Sequence, residues 1–126
     1  MLLKEQSQRQ LKVGQEIKKI IAGLIERGEI RNLVDLGALV TVTEVRISPD
    51  MKYSNVFFIT SDDAKNAEAL KALQLAANFF RKQIASKVEM RYTPEVVFKI
   101  DESFAEATKI EKLLHDDRVQ RDLKNA

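Results

Sequence analysis

Apolar residues recur at helical spacing in some stretches of this chain and alternate with polar ones in others, and these two periods separate its elements. From about Ser7 to Arg27, the positions Val13, Ile17, Ile20, Ile21, Leu24 and Ile25 form one stripe, the pattern of a helix with a single buried face. Gly28 stands where it can end that helix, because glycine readily takes the left-handed conformation that closes a C-terminus. Ile30 to Gly37 holds no sustained period and reads as an ordered, irregular connector, with Ile30 and Leu33 tucked under a sheet edge. Leu39 to Ser48 is rich in β-branched residues, with polar ones alternating in its second half, which predicts a strand with one wet face. Ser48-Pro49-Asp50-Met51-Lys52 combines turn residues, and Tyr53 to Thr60 is a second run in which Val56 and Phe58 share a face. The pair predicts a β-hairpin.

The stretch from Leu70 to Asp101 organises the rest. Leu70, Leu73, Ala77, Phe80, Ile84 and Val88 keep i+3/i+4 spacing through Ala76-Ala77-Asn78, so two helices can bury one face against the same sheet. The first is expected from about Asp63 to Leu75, with Ser61-Asp62-Asp63 supplying capping oxygens, and the second from about Ala77 to Met90. Ala76, Ala77 and Asn78 form the expected kink. Thr93-Pro94 is expected to end the second helix, since proline lacks a backbone donor and restricts the residue before it. Val96, Phe98 and Ile100 then alternate with Val97 and Lys99, a third strand of about six residues. Glu102 to Leu114 carries a weaker helical pattern, and residues 115–126 form a charged tail expected to be flexible. The order is helix, two strands, helix, kinked helix, strand and a C-terminal helical segment. That predicts an α+β domain over residues 1–114, a three-stranded sheet covered by helices on one face.

A chain of 126 residues with 44% hydrophobic and 32% charged positions, 4 Gly and 2 Pro fits one helix-rich globular domain. It contains no Cys, which removes disulfides and Cys-based metal sites. No run of about 18 apolar residues occurs, and the first residues lack the apolar block of a signal peptide, so a cytoplasmic protein is expected. The net charge of +2 hides a pattern: residues 1–31 and 63–99 each carry +3, while 32–62 and 100–126 each carry −2. Positive charge therefore sits with the helices, where it serves either solubility or an anionic partner. Catalytic readings find little support. The single His, His115, lies in the charged tail, and the carboxylate pairs Asp62-Asp63, Asp101-Glu102 and Asp116-Asp117 are adjacent residues whose side chains diverge on regular elements. The four glycines stand apart, leaving no phosphate-cradling loop. No enzyme activity, metal or cofactor is expected.

The element order resembles the type II KH domain, an RNA-binding fold, although no G-x-x-G occurs. Particular residues narrow the resemblance. Arg9, Val13, Glu16 and Ile17 lie in the first helix, and Val40-Thr41-Val42-Thr43, Ser48-Pro49-Asp50, Tyr53 and Val56 in the hairpin. The central block holds Ala76-Ala77-Asn78-Phe79-Phe80-Arg81, then Arg91-Tyr92-Thr93-Pro94-Glu95, Phe98, Asp101 and Ser103. Over roughly residues 9 to 114 this combination resembles the ribosome-binding factor A family, bacterial assembly factors of KH-like fold that bind the small ribosomal subunit as it matures. That family has an A-x-G kink where this chain has Ala76-Ala77-Asn78. Asn78 thus replaces glycine, and Asn tolerates positive φ better than most residues, so a kink stays feasible there, with a nearly straight helix as the alternative.

The resemblance implies a non-enzymatic factor that binds immature small-subunit ribosomal RNA and assists its late maturation. A general single-stranded RNA binder of KH type is the alternative. The implied partners are the small ribosomal subunit and its RNA, with no membrane and no small-molecule substrate, and the chain acting as a monomer. Candidate RNA contacts are Asn78, Phe79, Arg81, Lys82, Lys87 and Arg91, extended by Arg9, Lys12 and Lys19 on the first helix. At about 100° per residue, Arg81 lies beside the core stripe, Lys82 near the solvent face and Lys87 on the other flank. Arg81 is suited either to an ion pair or to phosphate. Phe79 points away from the core on the same wheel, suited to base stacking or to partial burial against the C-terminal helix.

Overall fold

A computed structural model describes residues 6–103. Its elements are α1 (Gln8–Glu26), α2 (Arg31–Val34), β1 (Val40–Ile47), β2 (Tyr53–Thr60), α3 (Asn66–Leu75), α4 (Ala77–Lys87) and β3 (Glu95–Ile100). The sheet runs β1-β2-β3, with β1 and β2 antiparallel and β2 and β3 parallel. Residues 104–126, including most of the expected C-terminal helical segment and all of the tail, lie outside the described residues. Glu102 and Ser103 are helical.

The first helix starts and stops through local chemistry. Ser7 accepts from the Gln10 backbone N–H at 3.1 Å, and the Gln10 side chain accepts from the Ser7 N–H at 2.7 Å. This reciprocal capping box satisfies two amides that the first turn leaves open. At the other end Gly28 takes φ +71, its N–H reaching the Ile25 carbonyl and that of Glu29 the Leu24 carbonyl, the Schellman arrangement. Between them Val13, Ile17, Ile21 and Leu24 are buried over β1. Gly14 permits the close approach, since a Cβ there would meet the Val45 carbonyl oxygen at 2.9 Å.

Ile30 and Leu33 are buried as expected, and Leu36 with them, but the connector contains the single-turn helix α2. Four residues are too short to show a period. β1 departs from alternation at Thr43: Val42 pairs with Phe58 and Glu44 with Phe57, leaving Thr43 as the extra residue of a β-bulge. The bulge shifts the parity, which is why Val42, Val45 and Ile47 all reach the core. Its freed carbonyl accepts from Lys18 Nζ at 3.2 Å, and its hydroxyl donates to Asp101 at 2.6 Å. The hairpin turn holds Met51 at φ +63, a left-handed conformation that costs a non-glycine residue about 1 kcal/mol.

Ser54, Val56, Phe58, Thr60, Val96 and Phe98 complete the buried face of the sheet, beneath α1, α3 and α4. Leu73, Phe80 and Ile84 are fully buried there, and the Phe80 ring lies 5.3 Å from that of Phe98. The expected stripe is therefore the core of the helical layer. A 3-10 turn at Asp63–Lys65, capped by Asp62, precedes α3 and moves its start to Asn66.

Candidate nucleic-acid interface

The kink lies between α3 and α4, but Asn78 does not make it. Ala76 departs from helical geometry at φ −93, ψ 2. Its N–H is shared between the Ala72 and Leu73 carbonyls at 3.2 and 3.1 Å, and its own carbonyl starts α4 by accepting from Phe80 at 3.0 Å. Asn78 sits inside the first turn of α4, exposed, and Met51 is the one non-glycine residue with positive φ among the described residues. The bend falls on Ala76, the first of the three expected kink residues, for a simple reason. A single residue with ψ near zero breaks the i to i−4 ladder, and alanine reaches that conformation without needing glycine's freedom.

The second helix also ends earlier than expected. Val88 is extended at φ −113, ψ 121, while its N–H still closes on the Ile84 carbonyl at 2.8 Å. Thr93-Pro94 thus does not terminate α4; it closes the return loop. Pro94 is buried, and the next N–H, that of Glu95, donates to the Lys52 carbonyl at 2.8 Å. The chain must reverse to bring β3 alongside β2, so the tertiary connection sets the end of the helix.

That return loop fastens to α4 through Arg81. Its Nε and Nη2 both donate to the Thr93 carbonyl, at 3.3 and 3.0 Å, and its Nη1 lies 4.0 Å from Glu95. The ion pair is long and partly exposed, and such pairs contribute little. The fork on a carbonyl is the stronger tie. Of the two roles open to Arg81 in the sequence, neither is the main one observed: the guanidinium is a clamp between helix and loop.

Around the clamp the chain builds a shallow recess of about 370 Å³, lined by Arg81, Lys82, Ala85, Arg91, Tyr92 and Thr93. Lys82 and Arg91 are exposed, and the Tyr92 side chain is 73% exposed. Three expected residues, Arg81, Lys82 and Arg91, are thereby brought together. Asn78 lies one turn before Lys82 on the same outward row, at i and i+4. Phe79 is on the other flank of α4. It is half-buried, its ring 5.9 Å from Phe80 in an edge-on arrangement, and it borders a separate recess with Ile30, Arg31 and Leu75. Of the two roles open to Phe79 in the sequence, partial burial is the one observed; burial against the C-terminal helix concerns residues outside the described ones.

Lys87 is exposed at the last position of α4, outside the recess. Arg9, Lys12 and Lys19 are exposed along α1. The start of α1 stands near the hairpin turn, as Gln10 Nε2 donates to the Ile47 carbonyl at 2.9 Å. The return loop meets the same turn through Glu95 and Lys52, so Arg9, Lys12 and Arg91 share one end of the sheet. Sequence reasoning missed Tyr92 as a candidate; the available signal was an aromatic residue between Arg91 and Thr93-Pro94, outside both helical and strand periods. A larger cavity, about 670 Å³, is bordered by Leu33, Val34, Leu39 and Val40. It gathers no comparable set of cations.

Among the described residues no group of three His, Asp or Glu side chains is placed to hold a metal ion, and no helix is long and apolar enough to cross a membrane.

The model of the family described as ribosome-binding factor A matches residues 9–114. This chain belongs to the ribosome-binding factor A family. A ribosome-binding factor A from Paramagnetospirillum magneticum is 42% identical over 98% of this chain and 87% of its own length. The crystal structure of ribosome-binding factor A from Thermus thermophilus aligns with a TM-score of 0.62 at 26% identity, covering 72% of this chain and 94% of that one. A homology model of Thermus thermophilus ribosome-binding factor A, fitted into the cryo-EM map of a 30S complex with that protein, aligns with a TM-score of 0.55 at 28% identity, covering 68% of this chain and 88% of that one. The α+β architecture with two helices between β2 and β3 is thus the KH-like fold of ribosome-binding factor A.

Proposed function

We propose that this protein is a non-enzymatic assembly factor that binds the immature small ribosomal subunit through its ribosomal RNA, acting as a monomer in the cytoplasm. The observation that carries this reading is the convergence of Arg81, Lys82 and Arg91 on one open recess in a chain of the ribosome-binding factor A family. The relative fitted into a 30S complex supports the choice of particle. Lys82, Arg91 and Lys87 offer free cationic groups to phosphate, and Arg9, Lys12 and Lys19 add a second row along α1. Asn78 borders the first set. Arg81 contributes by holding the loop, and Phe79 borders the recess on the other flank of α4.

Binding alone suffices for such a role. A factor that prefers one RNA conformation shifts the equilibrium by the difference between its affinities for the two states, and leaves when the preferred state is consumed. The test is co-sedimentation with immature and mature small subunits across a salt series. Preference for the immature particle is expected, with the logarithm of affinity falling by roughly 0.7 to 0.9 per neutralised phosphate for each logarithmic unit of salt. Equal binding to both particles overturns the proposal. Equally tight binding to short single-stranded oligonucleotides favours the general RNA-binder instead.

A further inference from the structure

The geometry points to the Tyr92 recess as a subsite for one unpaired nucleotide, its base stacked on the Tyr92 ring and its flanking phosphates held by Lys82 and Arg91. The inference rests on the ribosomal RNA reading above and specifies which chemistry that RNA presents. Tyr92 is 73% exposed and gains little from the protein core, yet the backbone that carries it is fastened. Its neighbour Thr93 is fixed through two hydrogen bonds from Arg81, and Pro94 beyond it is buried. A ring presented on a fastened loop loses little freedom on stacking, which favours binding. The recess walls are Ala85, which leaves room for a flat group, and three cations. Glu95 is the acidic group nearest the clamp, 4.0 Å from Arg81 Nη1, and it does not line the recess.

A planar apolar face bordered by positive charge matches a nucleobase with its phosphates. The base must be unpaired, because bases within a duplex keep their faces on their neighbours and leave no face for a side chain. A protein partner would instead call for a wider apolar contact than one ring and one alanine provide.

The experiment uses the full chain and immature small subunits, comparing wild type with Tyr92→Ala, Tyr92→Phe, Lys82→Gln and Arg91→Gln. Tyr92→Ala is expected to weaken binding about 5- to 150-fold without changing the salt slope, the range of losing one base stack. Tyr92→Phe keeps the ring and is expected to bind within about threefold of wild type, as stacking needs the π-face and not the hydroxyl. Lys82→Gln and Arg91→Gln are each expected to lower the salt slope by about 1. Ultraviolet crosslinking of the wild-type complex followed by peptide mass spectrometry is expected to place a nucleotide adduct on Tyr92. Unchanged binding by Tyr92→Ala, equal losses in the Phe and Ala variants, or crosslinks from this peptide to a ribosomal protein overturn the subsite and leave the assembly-factor reading standing. Failure of the wild type to prefer immature particles overturns that reading itself.

Discussion

The two flanks of α4 differ although their sequences interleave. Phe79 packs edge-on against Phe80, borders a recess with Ile30 and Arg31, and is half-buried. Arg81, Lys82 and Ala85 face the return loop and open with Tyr92 onto water. One flank holds the helix in place while the other displays charge and an aromatic ring. The difference teaches that an aromatic residue beside a basic one in sequence need not share its surface. A separation of two positions rotates a helix by about 200°, so Phe79 and Arg81 end on opposite sides.

The strongest way to break this comparison is to remove the axis both flanks share. Phe80→Ala empties a fully buried site against Phe98 and is expected to destabilise the fold by about 3–5 kcal/mol, read by denaturant unfolding. Both flanks then fail together. Phe79→Ala should cost less, about 1–3 kcal/mol, from partial burial and one edge-on aromatic pair. Tyr92→Ala should stay within about 0.5 kcal/mol of wild type, as exposed substitutions do. Equal losses for the two aromatic variants in the same unfolding assay would erase the distinction between the flanks.

Arg81→Gln separates clamp from contact. Losing the fork on the Thr93 carbonyl is expected to cost about 1 kcal/mol, since the group is partly exposed. The salt slope of particle binding should fall less than in Lys82→Gln, because the guanidinium already faces a protein carbonyl. Asn78→Gly tests the pivot. Were Asn78 at positive φ, glycine would relieve it; within the first turn of α4, glycine is expected to destabilise by up to about 1 kcal/mol. Thermal unfolding gives the sign.

The smallest effect lies away from α4 and is pH-dependent. The Ser48 hydroxyl, and then the Lys52 N–H, hold the Asp50 carboxyl below its ordinary value of 3.8. The folded state therefore binds fewer protons than the unfolded one across that interval. The contribution is complete above 3.8 and is lost as pH falls from there through the lowered folded value. Asp50→Asn is expected to flatten stability over that interval and to remove at neutral pH the small contribution that is complete there in the wild type.

Much of this was legible in the chain before its structure. Val13, Ile17, Ile21 and Leu24, Val56 with Phe58, Leu73 with Phe80 and Ile84, and Val96 with Phe98 are buried on the expected faces, while Ile20, Ile25, Leu70, Ala77, Val88 and Ile100 on the same faces are only partly buried and pack against that core. The basic cluster was legible only as separate residues: nothing local joins Arg91 to Lys82. The bulge at Thr43 was hidden, because two apolar residues three apart look like broken alternation until a partner strand supplies the register. Tyr92 was hidden because exposure is a property of what fails to cover a residue.

Periodicity alone determined which of the longer elements form, in what order, and which faces they bury, since burial of apolar surface is repeated along each element and leaves a repeated signal. Residue combinations carried the family. The tertiary structure decided the single events: which of Ala76, Ala77 and Asn78 bends, Val88 and not Thr93-Pro94 as the end of α4, and Arg81 as a clamp that sets Tyr92 beside Lys82. The first rests on one backbone dihedral and the others on how the return loop closes, and an event that happens once leaves no period to read.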